Sequence, residues 1–409
     1  MTSTAPRRVG LWLIGACGGV GSTTALGLAT LAKGLHSTVG MVTALPQFAS
    51  VDFDEPIQFV VGGHDIREES LASAACALHR RSNVIDHDTL QIGIEQLNEW
   101  NANLRPGVAY RPSGAIGSLA EKGFVQIAET PQDAIDLIGR DFRHFAAEKK
   151  LDQLVVVNVA STEPPFELNE AHASLEALKR CGLPLPTSSL YAYAAIEAGY
   201  PYVNLTPSLG ANVPAIEELA ATRRVPHLGR DAKTGETLLK SVLAPMFAMR
   251  NLKVLSWVGH NILGNRDGLV LNDPTNKASK VKTKDALLSE MLGYKPQSLV
   301  SIEYVESLDD WKTAWDHIHF EGFLGTKMTL QFTWQGCDSL LAAPLVIDLA
   351  RLALLAQRRG DRGTFAEAAC FFKSPNGSKE HELGKQFAML AEYLQDPTPR
   401  TTQRSQRDE

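Results

Sequence analysis

The feature that most constrains the fold is an apolar run that leads directly into a glycine-rich turn near the start of the chain. Val9 to Ala16 reads VGLWLIGA, which has the length and composition of a strand buried on both faces of a parallel sheet. Gly18-Gly19-Val20-Gly21 follows, and Ala25 to Lys33 then has the apolar spacing of a helix, for which Ser22 is the predicted N-cap. A strand, a glycine turn and a helix in this order form the context that a dinucleotide-binding fingerprint requires.

Two functional interpretations of this turn differ in whether a ligand is bound. Glycine lets the backbone approach a pyrophosphate, and a helix N-terminus favours an anion, but a tight turn without a ligand has the same pattern. The acidic residue that usually follows the second strand and holds a ribose is missing, because Thr43-Ala44-Leu45-Pro46 stands there. Asp65, after the third predicted strand, can hold the ribose instead or can cap the helix that follows.

The start of the chain also has features of a targeting signal. Arg7-Arg8 precedes the apolar run and a cysteine follows it, as in a lipoprotein signal peptide. The run is short for that purpose and continues into the glycine turn, which favours a strand. No stretch of about 18 apolar residues predicts a membrane span. Five scattered cysteines without a CxxC pair indicate a reducing cytoplasm rather than disulfides or a zinc site: Cys17, Cys76, Cys181, Cys337 and Cys370.

Strands and helices alternate over about the first 200 residues, which predicts a doubly wound parallel sheet. The predicted strands after the first are Thr38–Ala44, Gln58–Gly62, Leu154–Val159 and Tyr202–Leu205. The predicted helices are Leu71–Arg80, Pro131–Lys149 and Ser188–Ala198. From Asp231 onward, strand-like runs lack crossover helices and predict a mixed or antiparallel second sheet: Val254–Val258, Leu299–Val305 and Met328–Thr333. Apolar residues at 339–357 then predict a long buried helix.

The charge balance limits the class of ligand. The chain has 40 Lys+Arg against 46 Asp+Glu, a formal net charge of −6. A protein that binds nucleic acid by bulk electrostatics is usually basic, so any phosphate must be met here by a few placed cations. Lys240 and the cluster at 277–284 are compatible with a solvated surface. Lys373, between aromatic residues and Pro375, requires a counter-anion or a depressed pKa.

The residue pattern offers little support for a metal site. His317 and His319 are two apart and would share one face of a strand, but no third ligand stands at a suitable spacing. Ordinary hydrogen-bonded or solvated histidines are therefore favoured.

Many segments together resemble one known family. These are GACGGVGST, GGHDI, NVASTEPP, SLYAYAAIEAGYPYVNLTPS, TGETLLKSVLAPMF, NILGNRDG, NKASKV, GFLG and FFKSP, in order from about residue 8 to about residue 395. The chain resembles the myo-inositol-1-phosphate synthase family, and its likeness is greatest to the shorter archaeal and bacterial members. This joint pattern is far more specific than the glycine turn alone.

The resemblance implies an NAD-dependent isomerase. Members convert D-glucose 6-phosphate to 1L-myo-inositol 1-phosphate, also named 1D-myo-inositol 3-phosphate, by C5 oxidation, enolisation, intramolecular aldol cyclisation and re-reduction. Negative charge develops on oxygen during this sequence, and fixed ammonium groups stabilise such charge. The resemblance implies Lys240, Lys280 and Lys373 as catalytic residues. Lys373 is assigned the proton shuttle and enolate, and the other two the phosphate and developing oxyanion.

The resemblance also implies the binding residues. Those for NAD are Gly18, Gly19, Val20 and Gly21 on the pyrophosphate, Asp65 on the ribose, Asn158, Ala160 and Ser161 along the site, and Asp231 and Asp267 near the nicotinamide. Those for the sugar are Asn204, Thr206 and Ser208.

The implied architecture is a Rossmann-like doubly wound sheet with an inserted α+β domain. Residues 1–205 plus 326–409 are expected to form the NAD-binding domain, and residues 206–325 the catalytic and tetramerisation domain. The expected protein is a cytoplasmic homotetramer that acts on a sugar phosphate and binds neither nucleic acid nor membrane.

One departure from the family leaves alternatives open. Glu236 stands where the resemblance to archaeal members leads us to expect a lysine, four residues before Lys240. A divalent cation, held in part by Glu236, or ammonium is the candidate activator, and no other metal ligand is identified. The alternatives are a related cyclase acting on a different hexose phosphate, a non-catalytic NAD-binding homologue, and an ordinary NAD dehydrogenase that would accumulate NADH.

Overall fold

An eight-stranded parallel sheet organises most of the chain. The computed structural model describes residues 6–111, 117, 120–265, 268 and 288–396. The strands of this sheet are β1 (Val9–Ile14), β2 (Phe59–Asp65), β3 (Leu104–Ala109), β4 (Val125–Ile127), β5 (Gln153–Asn158), β6 (Tyr202–Asn204), β7 (Pro226–Gly229) and β12 (Gly363–Thr364). The strand order is β12-β7-β6-β5-β1-β2-β3-β4, and every neighbouring pair is parallel.

The central strand is the apolar run at the start of the chain. All six residues of β1 are buried, with Val9 opposite Phe59 of β2 on one side and Gln153 of β5 on the other. The run is therefore a core strand, as its composition predicts, and the signal-peptide interpretation is wrong. The chain proceeds from β1 to β2 on one side and later returns to β5 on the other, which makes the β1–β5 boundary the switch point of the sheet.

Helices cover both faces of this sheet. They include α1 (Gly19–Leu31), α2 (Leu71–Ser82), α3 (His87–Asn101), α4 (Pro131–Glu148), α5 (Leu175–Arg180), α6 (Thr187–Glu197), α7 (Pro214–Arg223), α9 (Asp338–Arg359) and α10 (Leu383–Gln395). One core contains α1, α9 and α10, and the other contains α4 and α6. Helix α9 is the one helix among the described residues that is long and apolar enough to cross a membrane, and most of its apolar stretch is buried within the protein.

A second, four-stranded sheet packs on helix α8 (Glu236–Met249). Its order is β11-β10-β8-β9, with one parallel pair, β8–β9, and two antiparallel pairs. The strands are β8 (Lys253–Leu263), β9 (Gln297–Tyr304), β10 (Trp311–Glu321) and β11 (Lys327–Cys337). The predicted mixed sheet is thus confirmed, with β10 as an additional strand. Phe247, Trp257 and Ile318 fill the space between sheet and helix, while Leu299 and Trp315 remain exposed in the single chain.

Two local predictions are wrong. The segment Thr38–Ala44 is not a strand but ends in a short 3-10 turn, Val42–Ala44. The cause is Asp348 of α9, whose carboxylate accepts hydrogen bonds from the backbone N–H groups of Val42 and Thr43 and so replaces a strand partner. Ser22 is not an N-cap, because α1 begins at Gly19 and the Ser22 hydroxyl donates to Gly18 O inside the first turn.

Candidate active site

The glycine loop, residues 15–21, lies at the carboxyl end of β1 and contacts the residue Ala160 that follows β5. Gly15 has a φ of +86°, and a side chain there would come within 2.9 Å of Ala160 Cα, just after β5. The backbone N–H groups of Gly15 and Ala16 donate to His64 O at the end of β2. The loop is therefore held at the switch point, with the N-terminal turn of α1, including Val20, directly behind it.

Asp65 supports this loop from β2. Its carboxylate accepts hydrogen bonds from the backbone N–H of Cys17 at 2.8 Å and of Ile66 at 2.9 Å. The alternative role as a helix cap is wrong, since Ser70 caps α2 through a hydrogen bond from Ser73 N. The predicted contact with a ribose stays a prediction.

A second helix N-terminus meets the loop at Gly19. A methyl group at Gly19 would overlap the hydroxyl of Ser339 in the first turn of α9. Ser339 donates to Asp310 from both its backbone N–H, at 2.8 Å, and its hydroxyl, at 3.0 Å. Burial raises the pKa of Asp310. Glycine at position 19 thus lets the first turns of α1 and α9 pack closely, because Ser339 occupies the space that a side chain would need.

Lys312 brings a positive charge to this region. Its Nζ lies 3.6 Å from Asp338 Oδ1 at the start of α9. Asn265 donates weakly to the carboxylates of both Asp310 and Asp338. None of these four residues was predicted for the site, although the Asp-Trp-Lys segment and the acidic start of a long helix are visible in the sequence: Asp310, Lys312, Asp338 and Ser339.

The carboxyl ends of β5 and β6 are joined by one buried network of side chains. Asn204 Oδ1 accepts hydrogen bonds from Thr206 Oγ1 at 2.7 Å and from Asn158 Nδ2 at 3.4 Å. Asn204 Nδ2 donates to Ser208 O at 2.8 Å, and Ala160 N donates to Asn158 Oδ1 at 3.1 Å. Five predicted residues are therefore brought together beside the glycine loop: Asn158, Ala160, Asn204, Thr206 and Ser208.

Lys373 and Asp231 lie where this network meets β7. Lys373 Nζ is 2.9 Å from Asp231 Oδ1, and both side chains are largely buried. The backbone N–H of Asp231 donates to Thr206 O at 3.0 Å, which connects the pair to β6. The counter-anion that the setting of Lys373 requires is thus Asp231.

A polar cavity of about 320 Å³ borders Lys373. Arg230, Asn212 and Asn376 contribute to its lining, together with His381, whose imidazole is 3.0 Å from Glu290. Burial lowers the pKa of Arg230. Two cationic side chains on one cavity are suited to a phosphorylated ligand.

Lys233 is a further buried lysine, which the sequence pattern does not indicate. Its side chain is buried, and its Nζ donates to Gln386 Oε1 of α10 at 2.6 Å. Burial lowers its pKa to about 8, and the charge of Lys373 acts in the same direction. In the sequence it stands among polar residues and has the pattern of an exposed lysine.

Lys240 lies on α8 and faces the four-stranded sheet. It is 1% exposed, and its Nζ is 2.5 Å from Glu236 Oε1 and 5.6 Å from the centre of the Trp257 ring. Asn261 of β8 donates to the other Glu236 oxygen at 2.6 Å. Glu236 therefore forms a buried ion pair with Lys240.

Of the remaining predicted residues, one lies in the described part of the chain and others do not. Ser161 is half-buried just after β5. Lys280 and Asp267 lie outside the described residues, as do Lys277, Lys282 and Lys284. Within the part of the chain that the structure describes, no group of three or more His, Cys, Asp and Glu side chains could hold a metal ion. His317 and His319 are on β10, and all five cysteines are free thiols.

The arrangement fits a dinucleotide. A glycine loop without room for side chains at Gly15, Gly19 and Gly21, here called the glycine cradle, occurs together with a helix N-terminus behind it and a switch point of a parallel sheet. The fold and the site define a dinucleotide-binding α/β protein of the doubly wound class.

Comparison with known proteins gives the family. Residues 9–395 match the NAD-binding family model described as myo-inositol-1-phosphate synthase. The chain is 31% identical to inositol-3-phosphate synthase 1 of Bacteroides thetaiotaomicron over 95% of both chains. It is 33% identical to isozyme 2 of Arabidopsis thaliana over 74% of this chain, and it spans 61% of that plant protein. The crystal structure of inositol-3-phosphate synthase from Caenorhabditis elegans superposes with a TM-score of 0.84 at 25% identity, covering 95% of this chain and 86% of the nematode chain. The chain belongs to the myo-inositol-1-phosphate synthase family, and its cofactor is NAD.

Proposed function

We propose that this chain converts D-glucose 6-phosphate to 1L-myo-inositol 1-phosphate without net oxidation. The observation that carries the proposal is the position of the Lys373–Asp231 pair. A continuous series of contacts connects it, through Thr206, Asn204 and Asn158, to the glycine cradle. A basic group beside a dinucleotide site at the carboxyl ends of parallel strands is suited to proton removal from a substrate alcohol.

The residues around the pair supply positioning and charge. The chemistry that bound NAD would supply is acceptance of a hydride from the substrate carbon and its later return. Lys373 takes the hydroxyl proton and, as an ammonium, stabilises the negative oxygen of the enolate and aldol stages. Asp231 orients the Lys373 side chain through a contact of 2.9 Å. The Lys373 and Asp231 side chains are largely buried, and the limited contact with water strengthens these electrostatic effects.

Other lysines have roles that we assign by their surroundings. Lys312, paired with Asp338 beside the cradle, is positioned to supply a second cation for the sugar phosphate. Lys240 and Lys280 remain our candidates for the phosphate and developing oxyanion. For Lys240, burial against Glu236 supports an indirect role in which the ion pair fixes the start of α8.

The predicted binding residues are divided between NAD and the sugar. We assign Gly18, Gly19, Val20, Gly21, Asp65, Asn158, Ala160, Ser161, Asp231 and Asp267 to NAD, and Asn204, Thr206 and Ser208 to the boundary with the sugar. The cavity bordered by Lys373 and Arg230 is the proposed entrance for the phosphorylated substrate.

We further propose a two-domain homotetramer in the cytoplasm. Residues 1–205 plus 326–409 would form the NAD-binding domain and 206–325 the catalytic and tetramerisation domain, although β7 within the latter segment pairs with the parallel sheet. The exposed face of the four-stranded sheet, with Leu299 and Trp315, is the proposed subunit contact. Free, scattered cysteines support a reducing compartment. We propose no nucleic-acid or membrane partner, and a divalent cation or ammonium as activator.

A second candidate is a related cyclase for another hexose phosphate, which the presence of Glu236 favours. Phosphorus NMR on separate incubations with several hexose 6-phosphates and catalytic NAD distinguishes the two. Conversion of glucose 6-phosphate to inositol phosphate supports the first, and cyclisation of only another hexose phosphate supports the second.

A further inference from the structure

Three charged side chains lie together at the end of β2, beside the glycine loop. Asp65 is the last residue of β2, and its Oδ1 lies 3.3 Å from Arg67 Nε. Arg67 Nη1 lies 3.8 Å from Glu69 Oε2. Ser73, in the first turn of α2, donates to the other Glu69 oxygen and so holds that carboxylate in place. Arg67 is therefore held between two carboxylates.

The guanidinium of Arg67 is also bonded to the glycine loop. Its Nη2 donates to Cys17 O at 2.8 Å, while Nε and Nη1 face Asp65 and Glu69. Each of the three nitrogens thus faces an oxygen atom of this chain. Bidentate recognition of a phosphate uses two parallel N–H groups on one edge of a guanidinium. Every edge of this guanidinium includes nitrogens that the chain itself engages.

This arrangement bears on which dinucleotide the loop can accept. In dinucleotide-binding folds, an acidic residue after the second strand holds the 2′-hydroxyl of the adenosine ribose, whereas a nearby arginine accommodates a 2′-phosphate. This chain has both residue types at that place, Asp65 and Arg67. A phosphate monoester carries nearly two negative charges at neutral pH. It would meet two carboxylates and one guanidinium, a cluster with a net negative charge.

We propose that Glu69 makes this chain selective for NAD over NADP, because it engages Arg67 and so keeps the guanidinium from a 2′-phosphate. The inference rests on the proposed assignment of Asp65 to the adenosine ribose. A 2′-hydroxyl can donate a hydrogen bond to Asp65 without any movement of Arg67. A 2′-phosphate requires an N–H group that Arg67 has only when Glu69 releases Nη1.

The test is calorimetric measurement of the Kd for NAD and for NADP. The wild type should bind NADP at least about a hundredfold more weakly than NAD. Glu69→Gln should bind NADP about tenfold more tightly than the wild type does, because the released guanidinium forms a charge-assisted hydrogen bond to the phosphate. Its Kd for NAD should stay within about twofold of the wild-type value.

Glu68→Gln is the matched control, because it removes the same charge from an exposed neighbouring position. The ratio of the two Kd values should be the same in this variant as in the wild type. A wild type that binds both dinucleotides equally, or a Glu69→Gln variant with the wild-type ratio, overturns the inference.

A double variant, Arg67→Met with Glu69→Gln, separates the release of Arg67 from the simple loss of a negative charge. The gain in NADP affinity should disappear, since no guanidinium remains to bind the phosphate. The ratio of the Kd values is the readout, because a disturbed loop weakens both dinucleotides alike. A gain that persists without Arg67 overturns the inference.

The same measurements distinguish this inference from the assignments on which it rests. Asp65→Asn should weaken NAD binding, and an unchanged Kd for NAD in that variant contradicts the ribose assignment. The Kd ratio in Glu69→Gln decides on Glu69. These titrations contain no sugar phosphate, so a chain that never cyclises glucose 6-phosphate contradicts only the proposed function.

Discussion

Lys373 and Asp231 are joined twice, by an ion pair of 2.9 Å between their side chains and by a hydrogen bond of 2.6 Å from Lys373 N to Asp231 O. The two residues are 142 positions apart in the chain. The double connection fixes the direction of the lysine side chain at the end of β7. Such fixed placement is what an acid–base group needs, because proton transfer depends on geometry before it depends on pKa.

Replacement of Lys373 by Ala should abolish turnover and leave NAD binding nearly unchanged. Loss of a positioned acid–base group costs about 10²- to 10⁴-fold in rate, and Lys373 lies beyond the glycine cradle in the series of contacts. Initial rates and the Kd for NAD measure the two effects. Lys385→Ala, at an exposed site, serves as the control, and near-normal turnover in Lys373→Ala would contradict the assigned role.

Gly19→Ala should weaken NAD binding. The added methyl would overlap Ser339 Oγ, so the loop must shift from the position proposed for the pyrophosphate. A loss of about 1–3 kcal/mol of binding free energy corresponds to roughly 5- to 150-fold in Kd. Gly384→Ala is the matched control, because a side chain there meets no atom within 4 Å. Equal NAD affinity in both variants, measured by calorimetry, would show that the position of the loop at Gly19 does not matter for cofactor binding.

Lys240→Met should destabilise the fold much more than Lys240→Met combined with Glu236→Gln. Removal of one member of a buried ion pair leaves the other charge uncompensated and costs about 3–5 kcal/mol. The pair lies 2.5 Å apart with both side chains almost fully buried. Urea denaturation of the two single variants and the double variant gives the coupling energy. Additive effects would mean that the pair is not the main interaction of either residue.

Asp348→Asn should remove a pH-dependent part of the stability. Burial raises the pKa of Asp348 from 3.8 to about 6, so the folded state binds more protons than the unfolded state between these values. The free energy of unfolding therefore falls as the pH rises through about 4 to 6, by on the order of 3 kcal/mol from this group alone. Urea denaturation at pH 4 and pH 7 should show a smaller decrease in the variant. Parallel decreases in both proteins would exclude Asp348 as the source.

The sequence predicted the elements whose residues pack locally and missed those decided by distant partners. The buried run of β1 and the apolar spacing of α4 are sufficient to identify these elements. Thr38–Ala44 has the composition of a strand, but Asp348, about 300 positions later, takes its N–H groups. Burial and partners at that range are not visible in a local pattern.

Partners that are distant in the sequence also limited the prediction of the site. Lys373 was identifiable because aromatic neighbours indicated a buried lysine. Lys233 was missed because its partner Gln386 is 153 positions away and its neighbours are polar. Lys312 was missed because β10 mixes polar and aromatic residues and lacks a clear alternation.

The most direct test of the proposed function is incubation of the purified protein with D-glucose 6-phosphate and a catalytic amount of NAD. Phosphorus NMR follows the phosphate ester, and absorbance at the wavelength of reduced nicotinamide follows the cofactor. The account predicts accumulation of myo-inositol 1-phosphate over many turnovers with no net reduction of NAD. Stoichiometric reduction of NAD, or unchanged glucose 6-phosphate with NAD bound, would contradict it.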